Sequence, residues 1–178
     1  YEGLCLVAAI LALGVVLGVN AAQNLPVTIN VALAIFGGLS AWLWLLARRG
    51  RTFPGLFLIA QLGVLGVGWF PNAGTHGSLP YYFFVPLCYS ILLFDGSRAW
   101  ALCALVLAEP IGLILLEHQI PGLIIPFQSE RDRLIDISTG IVVAGTTCAL
   151  IIWLAVTGYR RERQRLRVAL DTLTRSED

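Results

Sequence analysis

The sequence predicts an all-α integral membrane protein, a six-helix bundle whose last helix extends into a cytoplasmic coiled coil. Of its 178 residues, 57% are hydrophobic and only 13% are charged, which is far from the balance of a soluble domain. Several apolar runs are long enough to cross a hydrocarbon core of about 30 Å. The last of these runs passes into an arginine-rich segment without an intervening proline.

Six apolar runs define the predicted membrane helices. They cover Gly3–Asn20, Leu25–Ala47, Phe53–Phe70, Tyr81–Phe94, Ala99–Glu117 and Leu134–Thr157. The first two are joined by the short, uncharged link Ala21-Ala22-Gln23-Asn24 and should form a helical hairpin. The third is rich in glycine, and small residues allow close approach between membrane helices. The fourth is the shortest.

The end of the sixth run predicts one continuous helix that leaves the membrane. Gly158, at the boundary, weakens a helix but does not end it. Beyond it, hydrophobic residues recur at steps of seven, four and three, at Tyr159, Leu166, Leu170 and Leu173. This is the spacing of a two-stranded coiled-coil seam, so we expect a homodimer. The chain then divides into a membrane domain, residues 1–158, and a signalling helix, residues 159–178. The absence of methionine, even at position 1, predicts a piece of a longer protein.

Arginine counts predict the orientation. One side of the predicted membrane holds Arg48, Arg49, Arg51, Arg98 and the arginines that follow Tyr159, whereas the other holds only Arg131 and Arg133. Positive residues in short loops mark the cytoplasmic side. Both termini are therefore expected in the cytoplasm.

Several function classes are disfavoured by composition. Lysine is absent, which excludes a retinal Schiff base because that linkage needs a lysine amine. The four cysteines lie in apolar runs without Cys-x-x-Cys spacing and suit buried core positions. The sequence has no phosphate loop, Gly-x-Ser-x-Gly or His-Glu-x-x-His motif, so no catalytic residue and no cofactor are predicted. The arginines after Tyr159 suit anionic lipid head groups and not nucleic acid.

Polar residues at lipid depth are the first candidates for function, because they are costly there and usually face the bundle interior. Gln61 and Glu109 are expected near mid-membrane, with Tyr89 at comparable depth. Glu109 is followed by Pro110, which removes a helical hydrogen bond to Val106. Glu109 either makes a structural hydrogen bond to Gln61 or a threonine, or carries a proton or ligand.

A second group of candidates lies at the outer face. The loop Asn72–Ser78 contains His76 and is followed by Tyr81 and Tyr82. His118 ends the fifth run. The two histidines either bind a metal ion or haem or are solvated loop residues.

Charged residues open the sixth run. We expect Arg131, Arg133 and Asp136 to form an ion-pair latch. Together with the outer loop they should enclose a shallow cup beneath the segment Gln119–Phe127.

These residues resemble the six-helix N-terminal sensor modules of bacterial histidine kinases and diguanylate cyclases. The resemblance rests on the glycine-containing outer loop and its aromatics, Asn72–Phe84, and on Arg133-Leu134-Ile135-Asp136 at the last span. The run Leu173-Thr174-Arg175-Ser176-Glu177-Asp178 is similar to the approach to a PAS domain. The resemblance implies a bacterial inner-membrane location and a kinase or cyclase output domain after the coiled coil.

The leading hypothesis is therefore a signal-input domain, without catalysis of its own, that binds a small apolar or amphipathic molecule. The candidate ligand-binding residues are Gln61, Asn72, His76, Tyr81, Tyr82, Tyr89, Glu109 and His118. Two alternatives remain: a carrier or proton-coupled membrane protein that uses Glu109, and a b-type haem or metal sensor that uses His76 and His118.

Overall fold

The computed structural model describes residues 2–16, 18 and 27–177, with side chains for all of these except Val15 and residues 168–177. All regular structure within these residues is helical, which confirms the predicted all-α class. The helices are α1 (Glu2–Ile10, followed by a π-helical segment, Leu11–Val16), α2 (Val27–Arg48), α3 (Pro54–Trp69), α4 (Leu79–Tyr82), α5 (Phe84–Leu93), α6 (Gly96–Gln119) and α7 (Glu130–Glu177). Short 3₁₀ turns cover Gly74–His76 and Pro121–Leu123.

Three of the described helices are long and apolar enough to cross a membrane. They are α2, α6 and the part of α7 from Glu130 to Arg167, and their length and composition indicate a membrane protein. The other predicted runs form shorter apolar helices, Glu2–Gly14, Pro54–Trp69 and Leu79–Leu93. At about 1.5 Å per residue, these are shorter than a full span. The six-span bundle therefore stays a prediction.

The fourth predicted run is broken. Instead of one helix over Tyr81–Phe94, the chain forms α4 and α5 with a break at Phe83. Pro86 explains the position of the break, because a proline has no N–H and its ring clashes with the carbonyl four residues earlier, here that of Tyr82.

Helix α7 is a single element of 48 residues, roughly 72 Å long at 1.5 Å per residue. It passes through Gly158 without interruption, so the predicted continuity is confirmed. It begins at Glu130, four residues before the predicted start, because Ser129 caps it: Ser129 Oγ accepts a hydrogen bond from the Asp132 amide at 3.1 Å. Ser129 in turn donates to the Asp132 carboxylate at 2.6 Å.

The predicted coiled-coil seam lies on the last part of α7. Tyr159 and Leu166 are 70% and 58% exposed, so both are accessible to a partner helix. The side chains of Leu170 and Leu173 lie outside the described residues. The coiled coil and the homodimer stay predictions.

The core lies where α2, α3 and α5 meet. Phe57 packs against Tyr89 with ring centroids 4.9 Å apart and against Phe36 at 5.9 Å. The Tyr89 hydroxyl donates to the Pro54 carbonyl at 3.3 Å. Helix α5 also packs on α6 and α7, while α1 packs on α2. Tyr89 therefore connects α5 to the start of α3.

A close approach between α7 and α4 fixes the end of the bundle that carries the loop Asn72–Ser78. At Gly140 of α7, an added Cβ would collide with the Cβ of Ser78, which directly precedes α4. Only glycine permits this approach. Farther along the same helix, a Cβ added to Gly145 would have no neighbouring atom within 4 Å.

We therefore expect Gly140→Ala to lower the free energy of unfolding by about 1–3 kcal/mol, because overpacking displaces well-packed neighbours. Gly145→Ala is the matched control and should leave stability unchanged or raise it by up to about 1 kcal/mol, because alanine has the higher helix propensity. Unfolding in detergent micelles, followed by circular dichroism, measures both. Equal stability of the two variants would contradict this account of the contact.

Candidate functional site

The candidate site is a cavity of about 150 Å³ inside the bundle. Its walls come from α1, α2, α3, α5 and α7, with further residues from the outer loop and α4. Most lining side chains are apolar, such as Leu33, Phe36 and Val143. The lining residues on α7 run from Asp136 to Ile151, a length of roughly 22 Å at 1.5 Å per residue. The cavity therefore extends along about four turns of α7.

Asp136 fastens the outer loop to α7 at one end of the cavity. Its Oδ2 accepts hydrogen bonds from the Ser78 amide at 2.7 Å and from Asn72 Nδ2 at 3.3 Å. Its Oδ1 accepts from the Ser78 hydroxyl at 3.0 Å. All three residues are buried, and all three line the cavity. The loop, α7 and the cavity wall are thus joined by one hydrogen-bonded group.

Glu117, near the end of α6, fastens the same loop from the other side. Its Oε2 accepts from Trp69 Nε1 at 2.9 Å and from the Thr75 amide at 3.0 Å. Its Oε1 accepts from the Thr75 hydroxyl at 2.7 Å. Gly74 has a φ of +57°, and a Cβ there would collide with the Glu117 carboxylate. Glycine at this position therefore permits both the turn and the contact.

The loop is also tightly folded on itself. A Cβ on Gly77 would collide with the backbone carbonyl of Asn72, so a side chain there would require the backbone to move. Ala73 adopts the left-handed conformation, with φ 59° and ψ 19°. This conformation costs a residue with a Cβ about 1–2 kcal/mol.

Four of the predicted ligand-binding residues line the cavity: Gln61, Asn72, Tyr82 and Tyr89. Gln61 is only 7% exposed, and its Oε1 has no hydrogen-bond partner among the described residues. A buried amide oxygen without a partner is unfavourable. This oxygen is closed off from the cavity as well, so its missing hydrogen bond is a cost to the bundle and not a contact offered to a ligand.

The other four predicted ligand-binding residues are not in the cavity lining. His76 and Tyr81 are exposed on the loop and α4, and His118 is exposed at the end of α6. Glu109 lies half-buried on α6, with Oε1 3.0 Å from where a Cβ on Gly66 would stand. Its predicted structural hydrogen bond to Gln61 or a threonine is not formed among the described residues.

The two histidines belong to different elements, the 3₁₀ turn Gly74–His76 and α6. Within the described part of the chain, no group of three or more histidine, cysteine, aspartate or glutamate residues is arranged to hold a metal ion. Haem or metal binding stays a prediction.

The expected ion-pair latch is arranged differently. Asp136 is bonded to the loop residues Asn72 and Ser78, and Arg133 instead pairs with Glu130, one turn earlier on α7. Arg131 is exposed. Glu130 and Asp136 are each three residues from Arg133, so spacing along the helix allows either pair. Asp136 is buried and already accepts hydrogen bonds from Ser78 and Asn72, whereas Glu130 is exposed beside the Arg133 guanidinium.

Sequence reasoning missed the roles of Trp69 and Ser78. Trp69 is fully buried, and a buried indole N–H requires an acceptor, which Glu117 supplies. The need of the Trp69 N–H for an acceptor could therefore have pointed to Glu117. Ser78 carried no comparable signal, because its contact with Asp136 depends on how α7 packs against the loop.

Comparisons with protein-family models, with curated protein sequences and with solved structures find no match to this chain. A function for the chain therefore rests on the cavity, the fastened loop and the long last helix.

We expect Asp136→Asn to lower the free energy of unfolding by about 1–3 kcal/mol, because hydrogen bonds to a charged acceptor are the stronger ones and buried donors would lose their partner. Asp95→Asn is the matched control, since Asp95 is exposed and makes no capping hydrogen bond. Chemical unfolding in micelles compares the two. If Asp95→Asn lowers the free energy of unfolding as much as Asp136→Asn does, the stabilising role of the Asp136 hydrogen bonds is contradicted.

Ala73→Gly should raise the free energy of unfolding by about 0.5–1 kcal/mol, because glycine adopts the left-handed conformation without strain. The same substitution at Ala101, an exposed position inside α6, should lower it by about 1 kcal/mol. Opposite shifts of the thermal midpoint are expected. Shifts of the same sign would show that Ala73 is not strained.

Proposed function

We propose that this chain is the signal-input domain of a bacterial transmembrane sensor. It binds a small apolar or amphipathic molecule in the cavity and transmits occupancy through α7 to a cytoplasmic output domain. By the resemblance of its loop and last span, that output domain is a histidine kinase or diguanylate cyclase. The chain itself carries no catalytic step.

The observation that supports this proposal most directly is that α7 both lines the cavity and continues far beyond it. The cavity-lining residues Asp136, Thr139 and Val143 recur three or four positions apart, so they share one face of the helix. From that face the same helix extends to Glu177 without a break. A molecule in the cavity therefore contacts the element that leaves the membrane.

Occupancy changes the output only if two placements of α7 bind the molecule with different affinity. The affinity can differ between the two placements because the molecule meets the loop as well as α7. Asp136 joins α7 to Asn72 and Ser78 at one end of the cavity. A molecule that presses on this group biases the helix directly.

The proposed orientation puts both termini in the cytoplasm of a bacterial cell. Arginines cluster at the end of α2, where the Arg48 guanidinium lies 5.3 Å from the Trp44 ring centroid, and along α7 after Tyr159. Tryptophan and arginine are typical of a membrane interface. The fastened loop and the polar end of the cavity then face outward.

A carrier that uses Glu109 as a proton relay is the alternative function. Glu109 is not among the cavity-lining residues, and a carrier has no need of a helix that extends to Glu177. Both points favour the sensor. Proton-coupled flux into sealed vesicles would instead favour the carrier.

The dimer is tested by disulfide cross-linking in membranes. Leu166→Cys, on the predicted seam, should cross-link on mild oxidation at least several times faster than Gln164→Cys, which lies on the opposite face of the heptad. The unsubstituted chain controls for its four native cysteines. Equal rates at positions 164 and 166 would contradict a paired α7.

Transmission is tested by filling the cavity in the Leu166→Cys background. Thr139→Phe places a ring in the cavity and should change the cross-linking rate at position 166 by a factor of about two or more. Val142→Phe is the matched control, because Val142 is 65% exposed on the same helix. If Thr139→Phe and Val142→Phe change the cross-linking rate equally, filling the cavity does not alter the pairing of α7.

A further inference from the structure

We propose that Cys88 of α5 and Cys148 of α7 form a redox site inside the membrane domain, a pair of thiols that a lipid-soluble quinone oxidises to a disulfide. The site is separate from the cavity, because neither cysteine is among the described residues that line it. Oxidation of the pair does not depend on the proposed function. Only its effect on signalling rests on that function.

Two helix faces bring the cysteines together. On α7, Ala144, Cys148 and Ile151 recur at steps of four and three, so they share one face of the helix. On α5, Val85 and Cys88 lie three residues apart and share a face in the same way. Val85, Ala144 and Ile151 form one buried cluster, and both cysteines pack against it. The two thiols therefore lie on the contact between α5 and α7.

The side chains of the two cysteines converge. A side-chain hydrogen bond joins the thiols of Cys88 and Cys148, and both thiols are free of disulfides. Cysteines whose Cβ vectors diverge cannot be bridged unless the backbone moves. The hydrogen bond shows that these two point toward each other, so a disulfide needs only a small adjustment of the side chains.

The depth of the pair determines which oxidant can reach it. Cys148 lies midway between Asp136 and Arg160 on α7, roughly 18 Å along the helix from each. Both thiols are half-buried, and they border the outside of the bundle and not the cavity. Burial in an apolar environment disfavours the thiolate, so a charged oxidant in water reacts slowly here. A quinone dissolves in the bilayer and approaches the pair from the lipid.

The reaction balances with one quinone per pair. The S–H bonds of Cys88 and Cys148 break, and one S–S bond forms between the two sulfur atoms. The two electrons and two protons that the thiols lose convert the two carbonyls of the quinone into the hydroxyls of a hydroquinone. Because the carbonyl oxygens take up the protons, no thiolate is released into the lipid. Exchange with a dithiol restores the reduced pair.

The disulfide would hold α7 at a second point. Hydrogen bonds to Ser78 already hold the helix at Asp136, and a covalent bond at Cys148 would tie it to α5 more than three turns farther along. A helix held at two points cannot tilt about either one. Oxidation therefore restricts the change of placement by which α7 would transmit occupancy of the cavity.

Counting free thiols tests the redox site. The whole chain in phosphatidylcholine nanodiscs is treated with decylubiquinone under argon, denatured, alkylated with N-ethylmaleimide and weighed by mass spectrometry. We expect four labels per chain before treatment, one for each cysteine. After it we expect two, together with a proteolytic peptide that links Cys88 to Cys148 and about one decylubiquinol per chain. Four labels after treatment, or a link through Cys5 or Cys103, would overturn the inference.

A charged oxidant and two variants are the controls. Glutathione disulfide should leave four labels over the same time, and equally fast oxidation by it would contradict access through the lipid. Cys148→Ala should carry three labels before and after decylubiquinone. Cys103→Ala, which removes a buried cysteine outside the pair, should fall from three labels to one. Circular dichroism checks that both variants are folded, and loss of two labels in Cys148→Ala would overturn the pairing.

The effect on signalling is judged separately, with a photoreactive benzophenone amino acid in place of Leu166. This probe reports pairing of α7 without thiol chemistry. Oxidation should change the yield of photo-cross-linked dimer by a factor of about two or more, and Cys148→Ala should abolish the change. A disulfide that forms without changing the yield supports the redox site and contradicts its effect on α7. Absence of dimer in both redox states counts against the proposed function, whereas the thiol count still decides the redox site.

Discussion

Two buried carboxylates hold together the end of this protein that carries the loop Asn72–Ser78. Asp136 of α7 accepts hydrogen bonds from Asn72 and Ser78, at the two ends of one loop. Glu117 of α6 accepts hydrogen bonds from Thr75 in the same loop and from Trp69 at the end of α3. A buried carboxylate is tolerated only where several donors meet it. The loop therefore sets the relative position of two long helices that have no shared hydrogen bond of their own among the described residues.

The same constraint defines the cavity. Asp136 is tied to the loop, and from this point α7 lines the space that α1, α2, α3 and α5 also border, while it packs on α5. Gly140 then brings α7 against Ser78 at a distance no larger residue allows. The stretch of α7 from residue 136 to residue 140 therefore both holds the loop and forms part of the cavity wall. A group of this kind is well placed to respond to an occupant.

Much of the fold could be predicted from the sequence, because local signals dominate in apolar helices. The all-α class follows from the apolar runs, and the continuity of α7 through Gly158 follows from the lack of a proline. Pro86 and the pair Ser129 and Asp132 were local signals too, and they account for the break between α4 and α5 and for the early start of α7. The site was less predictable. Gln61 and Tyr89 were selected as polar residues at membrane depth, and Asn72 and Tyr82 through their position in and after the loop Asn72–Ser78. The choice between Glu109 and Asp136 as the acid of the cavity depends on how helices are rotated in the bundle, which no local pattern encodes.

The length of α7 has a mechanical consequence. From Asp136 to Glu177 the helix extends for roughly 60 Å at 1.5 Å per residue, while the fastened end is only about one turn long. A rigid rod pivoting at Asp136 by ~2° would carry its far end sideways by ~2 Å over that length. A movement of α7 that is smaller than an atomic radius beside the cavity is therefore larger at Glu177. There it matches the helix shifts that repack subunit interfaces in known switches.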